Sequence, residues 1–212
     1  MQKETYKLTL FKEHDASSKQ TSLGKVLEIH KFTWPFISLL FGLLYNNYSF
    51  RMMLMHSLYG GYGLSWVLKS NIYPDKNFYF NKEHKLTIGG IVGCYMSISV
   101  HYLIPYIAAT NYVEISKLEI VISNLFYIFG LLFHHAADCQ KFYQLKYNPG
   151  KLITDGFFFK LRHPNYTGEF MLWISFLIIS GKDKFLSYIP FFWVFVATIL
   201  AGMPAKEKSL KR

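Results

Sequence analysis

Six apolar runs punctuated by charge organise this chain. They are Phe32 to Phe50, Met52 to Leu68, Leu86 to Val113, Ile120 to Ala137, Pro164 to Gly181 (interrupted only by Glu169) and Phe185 to Ala205. Each is about the length, roughly 17–25 residues, that a helix needs to cross a bilayer. The pattern predicts an all-α, polytopic transmembrane bundle of about six spans, residues 32–212, preceded by a polar tail at residues 1–31. Within that tail, Leu23 to Lys31 is expected to form a short interfacial helix. Asn46, Asn47, Gly60, Gly61 and Gly63 weaken the first two runs and are equally consistent with a tight helical hairpin.

The fifth run carries the strongest local constraint. Only twelve uncharged residues separate Glu169 from Lys182, about 18 Å of helix at 1.5 Å per residue, too short for a core of about 30 Å. The helix must therefore begin earlier, and Pro164 is a natural first residue because the N–H it lacks has no intrahelical partner there. That start carries Glu169 more than one turn inside. Asn165, Glu169 and Trp173 then follow at i, i+4 spacing, with Tyr166 three residues before Glu169, so an amide, a carboxylate and two aromatic rings share one stripe. Gly168 beside it permits close approach of a neighbouring helix or a flat ring. An acidic group at membrane depth is costly unless it is paired or used, which makes Glu169 a functional candidate.

Charge placement orients the bundle. Assigning loops alternately to the two sides puts nineteen lysines and arginines on one face, against Arg51, Lys117, Lys182 and Lys184 on the other. The positive-inside rule then places both termini and the Glu169 end in the cytosol. Composition agrees with a membrane protein: 51% hydrophobic, 19% aromatic and 17% charged residues, with a mean hydropathy of +0.16. The net charge of +10 is accounted for by topology and attraction to anionic lipid headgroups, so no nucleic-acid partner is expected. The N-terminus lacks the pattern of a cleavable signal, and the first span is expected to act as an uncleaved anchor. Cys94 and Cys139 offer neither a disulfide framework nor metal-ligand spacing, and no metal is expected. There is no internal repeat and no sign of a second domain.

Candidate chemistry gathers at the cytosolic end. His134 and His135 close the fourth run and read as interfacial anchors, while Asp138, Gln140 and Lys141 follow at once. Asn148-Pro149-Gly150 and Asp155-Gly156 are turn signals that let the intervening segment fold back over the bundle mouth. Arg162 and His163 precede the fifth helix, where free backbone N–H groups and the positive dipole end favour an anion such as phosphate. His56 and His101 lie within spans, where cross-helix hydrogen bonding and function are equally open readings.

The run ADCQKFYQLKYNPGKLITDGFFFKLRHPNYTGEFMLW resembles the C-terminal catalytic region of steroid 5α-reductase-like membrane proteins, and AGMPAKEKSLKR resembles the segment after their last span. The likeness covers about residues 125–212. The wider group includes sterol reductases and the isoprenylcysteine and phospholipid methyltransferases; NY-x-GE is closer to the reductases. The resemblance implies that Asn165 and Glu169 hold the nicotinamide end of NADPH, that Asp138 helps seat the nucleotide, and that Arg162 and Lys141 take phosphate charge. Two positions depart from the pattern: Lys146 stands where arginine is expected, and the sequence stops at Arg212, where relatives usually continue with an aromatic, basic tail.

Three activities are therefore expected as alternatives. The first is an endoplasmic-reticulum membrane reductase that moves hydride from NADPH to a carbon–carbon double bond of a sterol-like or other lipid, with Tyr166 or His163 supplying the proton and Tyr59 or His56 as partners across the cavity. The second is an S-adenosylmethionine-dependent lipid or isoprenylcysteine methyltransferase, whose sulfonium cofactor calls for a carboxylate and aromatic faces from Glu169, Glu207, Tyr166 and Trp173. The third is a non-catalytic membrane protein that keeps the fold.

Overall fold

The computed structural model describes residues 21–75, 85–182 and 184–203. Helix α1 (Leu23–Leu44) starts where the Ser22 side chain accepts a hydrogen bond from the Lys25 amide at 3.2 Å, satisfying one of the free N–H groups of the first turn. Residues 23–31, expected as a separate interfacial helix, thus run directly into the first apolar run. Helix α2 (Phe50–Ile72) is capped in the same way by Ser49. The connection is tight, with Asn46 at φ 47°, a conformation asparagine tolerates well. Asn47 locks it by accepting from the Ser49 amide at 3.0 Å and donating to the Ala109 carbonyl at 2.8 Å. The paired helices form the hairpin that the asparagines and glycines suggested.

The third run becomes α3 (Ile88–Ile98) and α4 (Leu103–Thr110), joined by a 3-10 turn at Ser99–Tyr102. Helix α5 (Lys117–Tyr147) opens on a reciprocal Ser116/Glu119 capping box. Its 31 residues give about 46 Å, enough to carry Asp138 and Lys141 beyond the apolar part of the helix. Helix α6 (Pro164–Gly181) begins at the proline, and α7 (Tyr188–Val196) continues into a π-helical stretch at Ala197–Gly202. The one strand pairing among the described residues joins Thr21–Ser22 to Lys85–Leu86.

Three of these stretches, Leu23–Leu44, Ile88–Thr110 and Lys117–Tyr147, are long and apolar enough to cross a membrane, and Phe185–Leu200 is a shorter apolar helix. Most of the residues in these three stretches face outward. No residue of α3 is buried, and Met96 is 72% exposed, an arrangement that suits lipid contact. Helix α6 is the converse: ten of its eighteen residues are buried, so the other helices shield the one that carries Asn165 and Glu169. It packs closely on α5. A Cβ placed on Gly168 would sit 2.6 Å from the Gly130 carbonyl oxygen, and one on Gly130 would sit 2.9 Å from that of Gly168, so each glycine is required by the other backbone.

The core is aromatic. Trp34 stacks on Tyr59 at 3.8 Å between ring centres, and Tyr62, Trp173 and Phe176 complete the cluster. At the end of the bundle where α6 finishes, Arg51 is buried and donates to the carbonyls of Val113 (2.8 Å) and Ile179 (2.7 Å). The sequence marks it as a topology charge, but it acts as a tie between α2, α6 and the α4–α5 connection.

Candidate functional site

The opposite end, where α2 finishes and α6 begins, gathers the polar side chains. Lys69 on the last turn of α2 is buried and donates to the Asp138 carboxylate on α5. The same ammonium lies 3.3 Å from Nε2 of His134, and an ammonium can only donate, so Nε2 accepts. His134 Nδ1 then carries the proton and donates to the Asn165 carbonyl at 3.1 Å. Lys69, His134, Asp138 and the first turn of α6 thus form one connected network. His134, expected as an interfacial anchor, is buried inside it and stacks on Trp66, ring centres 5.3 Å apart.

His135 extends the network. Ser65 donates to the Tyr62 carbonyl at 2.9 Å, so its oxygen accepts from His135 Nε2 at 3.1 Å, and Nδ1 accepts from the Tyr73 hydroxyl at 3.4 Å. Burial, then the neighbouring Cys139 thiol and Asp138 carboxylate, push the Tyr73 phenol up to about 12, so it stays protonated at neutral pH. Tyr73, Asp75, Asp138, Lys141 and Phe142 line a cleft on this side of α5. Lys141 crosses that cleft to pair with Asp75 at 2.9 Å.

The fold-back of the 148–163 segment has a specific latch. Gln140 donates to the Asp155 carbonyl (2.9 Å) and carboxylate (3.2 Å), and its own carbonyl accepts from the Phe157 amide at 3.0 Å. Asp155 therefore shapes its turn. Arg162 is exposed beside the start of α6, His163 is half-buried, and its ring packs 5.6 Å from that of Tyr166.

Asn165 is buried at the start of α6, and among the described residues its side-chain amide makes no hydrogen bond, although its backbone carbonyl is held by His134. Glu169, one turn deeper, is half-buried and acts electrostatically on Lys31, Tyr62 and Tyr166. Of the expected site residues, Asn165, Tyr166 and Glu169 share one face, Asp138 joins them through His134, and Lys141 lies farther out along α5. His56 is directed elsewhere. Ser38 spends its proton on the Pro35 carbonyl, so His56 Nδ1 donates to the Ser38 oxygen at 2.9 Å. Tyr59 donates to the His101 carbonyl at 3.1 Å. Glu207, with Lys206 and Lys208, lies outside the described residues.

Two groups that read as topology charges prove central, Lys69 and Lys31. Lys31 is 4% exposed. Its ammonium lies 3.7 Å from the centre of the Trp34 ring, 4.6 Å from that of Tyr62 and 5.1 Å from that of Trp66, a three-sided aromatic cage that holds a cation by the negative faces of the rings. The cage forms because α2 approaches α1 closely at Gly63, where an added Cβ would sit 2.9 Å from Trp34 Cβ. The sequence contains the signal. Lys31 and Trp34 stand at i, i+3, and Tyr62, Trp66 and Lys69 follow at i, i+4, i+7, each set on one helix face.

A family model described as a protein of unknown function (DUF1295) matches residues 89–212, more than half of the chain, and the chain belongs to that family, which is steroid 5α-reductase-like. No curated protein and no solved structure matches it.

Proposed function

We propose that this DUF1295 protein is a membrane-embedded reductase that uses NADPH to saturate a carbon–carbon double bond of a lipid, sterol-like or other. The bundle crosses the membrane six times, with both termini and the Lys69–Asp138 end in the cytosol, in the endoplasmic reticulum. One observation carries the choice of cofactor: the aromatic cage that a sulfonium would require is already filled by the Lys31 ammonium. A second cation there meets repulsion at close range in a poorly screened site. A sulfonium in that cage is thereby disfavoured, and what a methyltransferase would have left is the Glu169, Tyr166 and Trp173 face that the reductase reading also uses.

The remaining groups fit a nicotinamide nucleotide. The open amide of Asn165 and the Glu169 carboxylate offer the donors and acceptors that a carboxamide needs. Arg162 and the positive dipole end of α6 suit phosphate charge. Lys69 and His134 hold Asp138 and the Asn165 backbone in fixed positions, so the first turn of α6 is organised before any ligand arrives. NADPH supplies hydride when bound. The chain's own contribution is to orient the ring through Asn165 and Glu169, to exclude water with the aromatic core beneath, and to offer the Tyr166 hydroxyl or His163 as proton donor.

Paired titration of NADPH and S-adenosylmethionine against the purified protein in detergent tests this. NADPH is expected to bind and S-adenosylmethionine not, with Asn165→Ala weakening NADPH by roughly tenfold or more, the loss of about one good hydrogen bond. Binding of S-adenosylmethionine with no nicotinamide binding overturns the reading in favour of the methyltransferase.

A further inference from the structure

The turn that Gln140 latches has an outer surface that neither the site nor the core uses. It contains a short 3-10 stretch, Gly156–Phe158, entered through Gly156 at φ 54°. Its depth is fixed by two contacts. Gln140 lies three residues past Ala137, the end of the fourth apolar run, and holds the Asp155 carbonyl and the Phe157 amide. The Phe157 ring meets Phe133 edge-on, ring centres 5.6 Å apart, and Phe133 stands inside that run. Phe133 and Gln140 are separated by about 10 Å of helix. Because α5 is long and apolar enough to cross a membrane, the turn is pinned at the level where hydrocarbon gives way to headgroups.

At that level the turn presents both kinds of side chain that a charged lipid surface takes up. Phe159 is 72% exposed and Leu152 is 66% exposed, and each stands next to an exposed lysine, Lys160 and Lys151 respectively. Residues 143–163 carry Lys146, Lys151, Lys160 and Arg162 against Asp155 alone, and the Asp155 carboxylate accepts from Gln140 at 3.2 Å. In water a loop gains nothing by holding out a phenylalanine and a leucine. At a lipid surface their burial is favourable, and lysine stems beside them carry ammonium groups to the headgroup phosphates.

We propose that the 151–160 turn docks on the leaflet at its own end of the bundle, with Phe159 and Leu152 entering the interfacial zone and Lys151 and Lys160 contacting anionic phospholipid headgroups. Charge selects the partner: the segment 143–163 has a net charge of +3 with histidine neutral, which complements a negative leaflet. The chain continues from this turn through Arg162 and His163 into the start of α6, so docking steadies the entrance to the candidate site from outside, whichever cofactor that site takes.

The test uses the full chain in phosphatidylcholine nanodiscs that contain an equal minor share of brominated phosphatidylcholine or of brominated phosphatidylserine. The indole introduced by Phe159→Trp is read as a difference from wild type, and Leu152→Trp provides a second reporter. Bromine quenches only at close range, so both lipids are expected to quench either reporter, with the serine lipid enriched beside it by roughly fivefold for each lysine that engages. Lys151→Gln with Lys160→Gln in the reporter background is expected to remove the enrichment and leave quenching by the choline lipid. Raised salt should weaken the enrichment in the same direction. All four positions are exposed, so the variants should melt as the wild type does. Absence of quenching by both lipids places the turn in water and overturns the proposal. Equal quenching by the two, or an enrichment that survives loss of both lysines, removes the anionic partner. An enrichment abolished by inorganic phosphate at constant ionic strength assigns the lysines to a soluble anion and overturns the leaflet contact.

Discussion

Lys69→Met, with Asp138 left in place, is expected to be the most destabilising single change at the site. Lys69 is 7% exposed and its ammonium holds both the Asp138 carboxylate and His134 Nε2. Methionine fills the same volume but takes away the ammonium that the poorly solvated carboxylate and the imidazole nitrogen share. Removing one partner of a buried ion pair costs about 3–5 kcal/mol, because the other charge stays desolvated. For a chain of this size that corresponds to a fall in Tm on the order of 10 °C. The Lys69→Met/Asp138→Asn double variant is expected to recover much of the loss, since neutralising the carboxylate removes the uncompensated charge. Thermal melts of the singles and the double in detergent form the cycle. Strictly additive losses show that the two groups do not act on each other.

Lys31→Ala is expected to change what the site binds. The wild-type cage of Trp34, Tyr62 and Trp66 is closed by the ammonium it holds. Alanine empties it and leaves three ring faces around a hollow the size of a small cation. Tetramethylammonium should then bind with a gain of about 2 kcal/mol, roughly thirtyfold over wild type, the amount a desolvated cation–π seat provides. Equilibrium dialysis of labelled tetramethylammonium measures this directly. Equal, measurable binding to both proteins places the Lys31 side chain outside the cage and removes the argument against a sulfonium cofactor.

Much of the architecture is legible in the sequence because lipid imposes length. Each of the six apolar runs contains helix, although only three stretches are long and apolar enough to cross a membrane, and the arithmetic from Glu169 to Lys182 puts the start of α6 at Pro164, where it lies. The stripe of Asn165, Glu169 and Trp173 follows from helical periodicity alone. The fold-back of the loop before it follows from the turn signals at Asn148-Pro149-Gly150 and Asp155-Gly156, although its latch at Gln140 does not. The charges inside the bundle were hidden. Lysine beside an apolar run reads as a topology marker, and nothing in the run itself tells whether the side chain reaches water or a neighbouring helix. Lys31 and Lys69 turn inward because α1, α2 and α5 meet around them, a tertiary fact carried by Gly63 and by the pairing of Asp138 with Lys69. His30 was invisible for the same reason. Its partner Trp34 is local, but His101 and Tyr102 come from the turn between α3 and α4.

The central claim, a dihydronicotinamide ring held at Asn165 and Glu169 above Trp173, is tested most directly by energy transfer. Tryptophan emission overlaps the absorption of NADPH, so excitation of the protein should yield sensitised nicotinamide emission on binding. The account predicts a saturable signal in the wild type, reduced in Trp173→Phe and abolished in Glu169→Gln. Saturable quenching by S-adenosylmethionine, with no sensitised emission at any NADPH concentration, contradicts it.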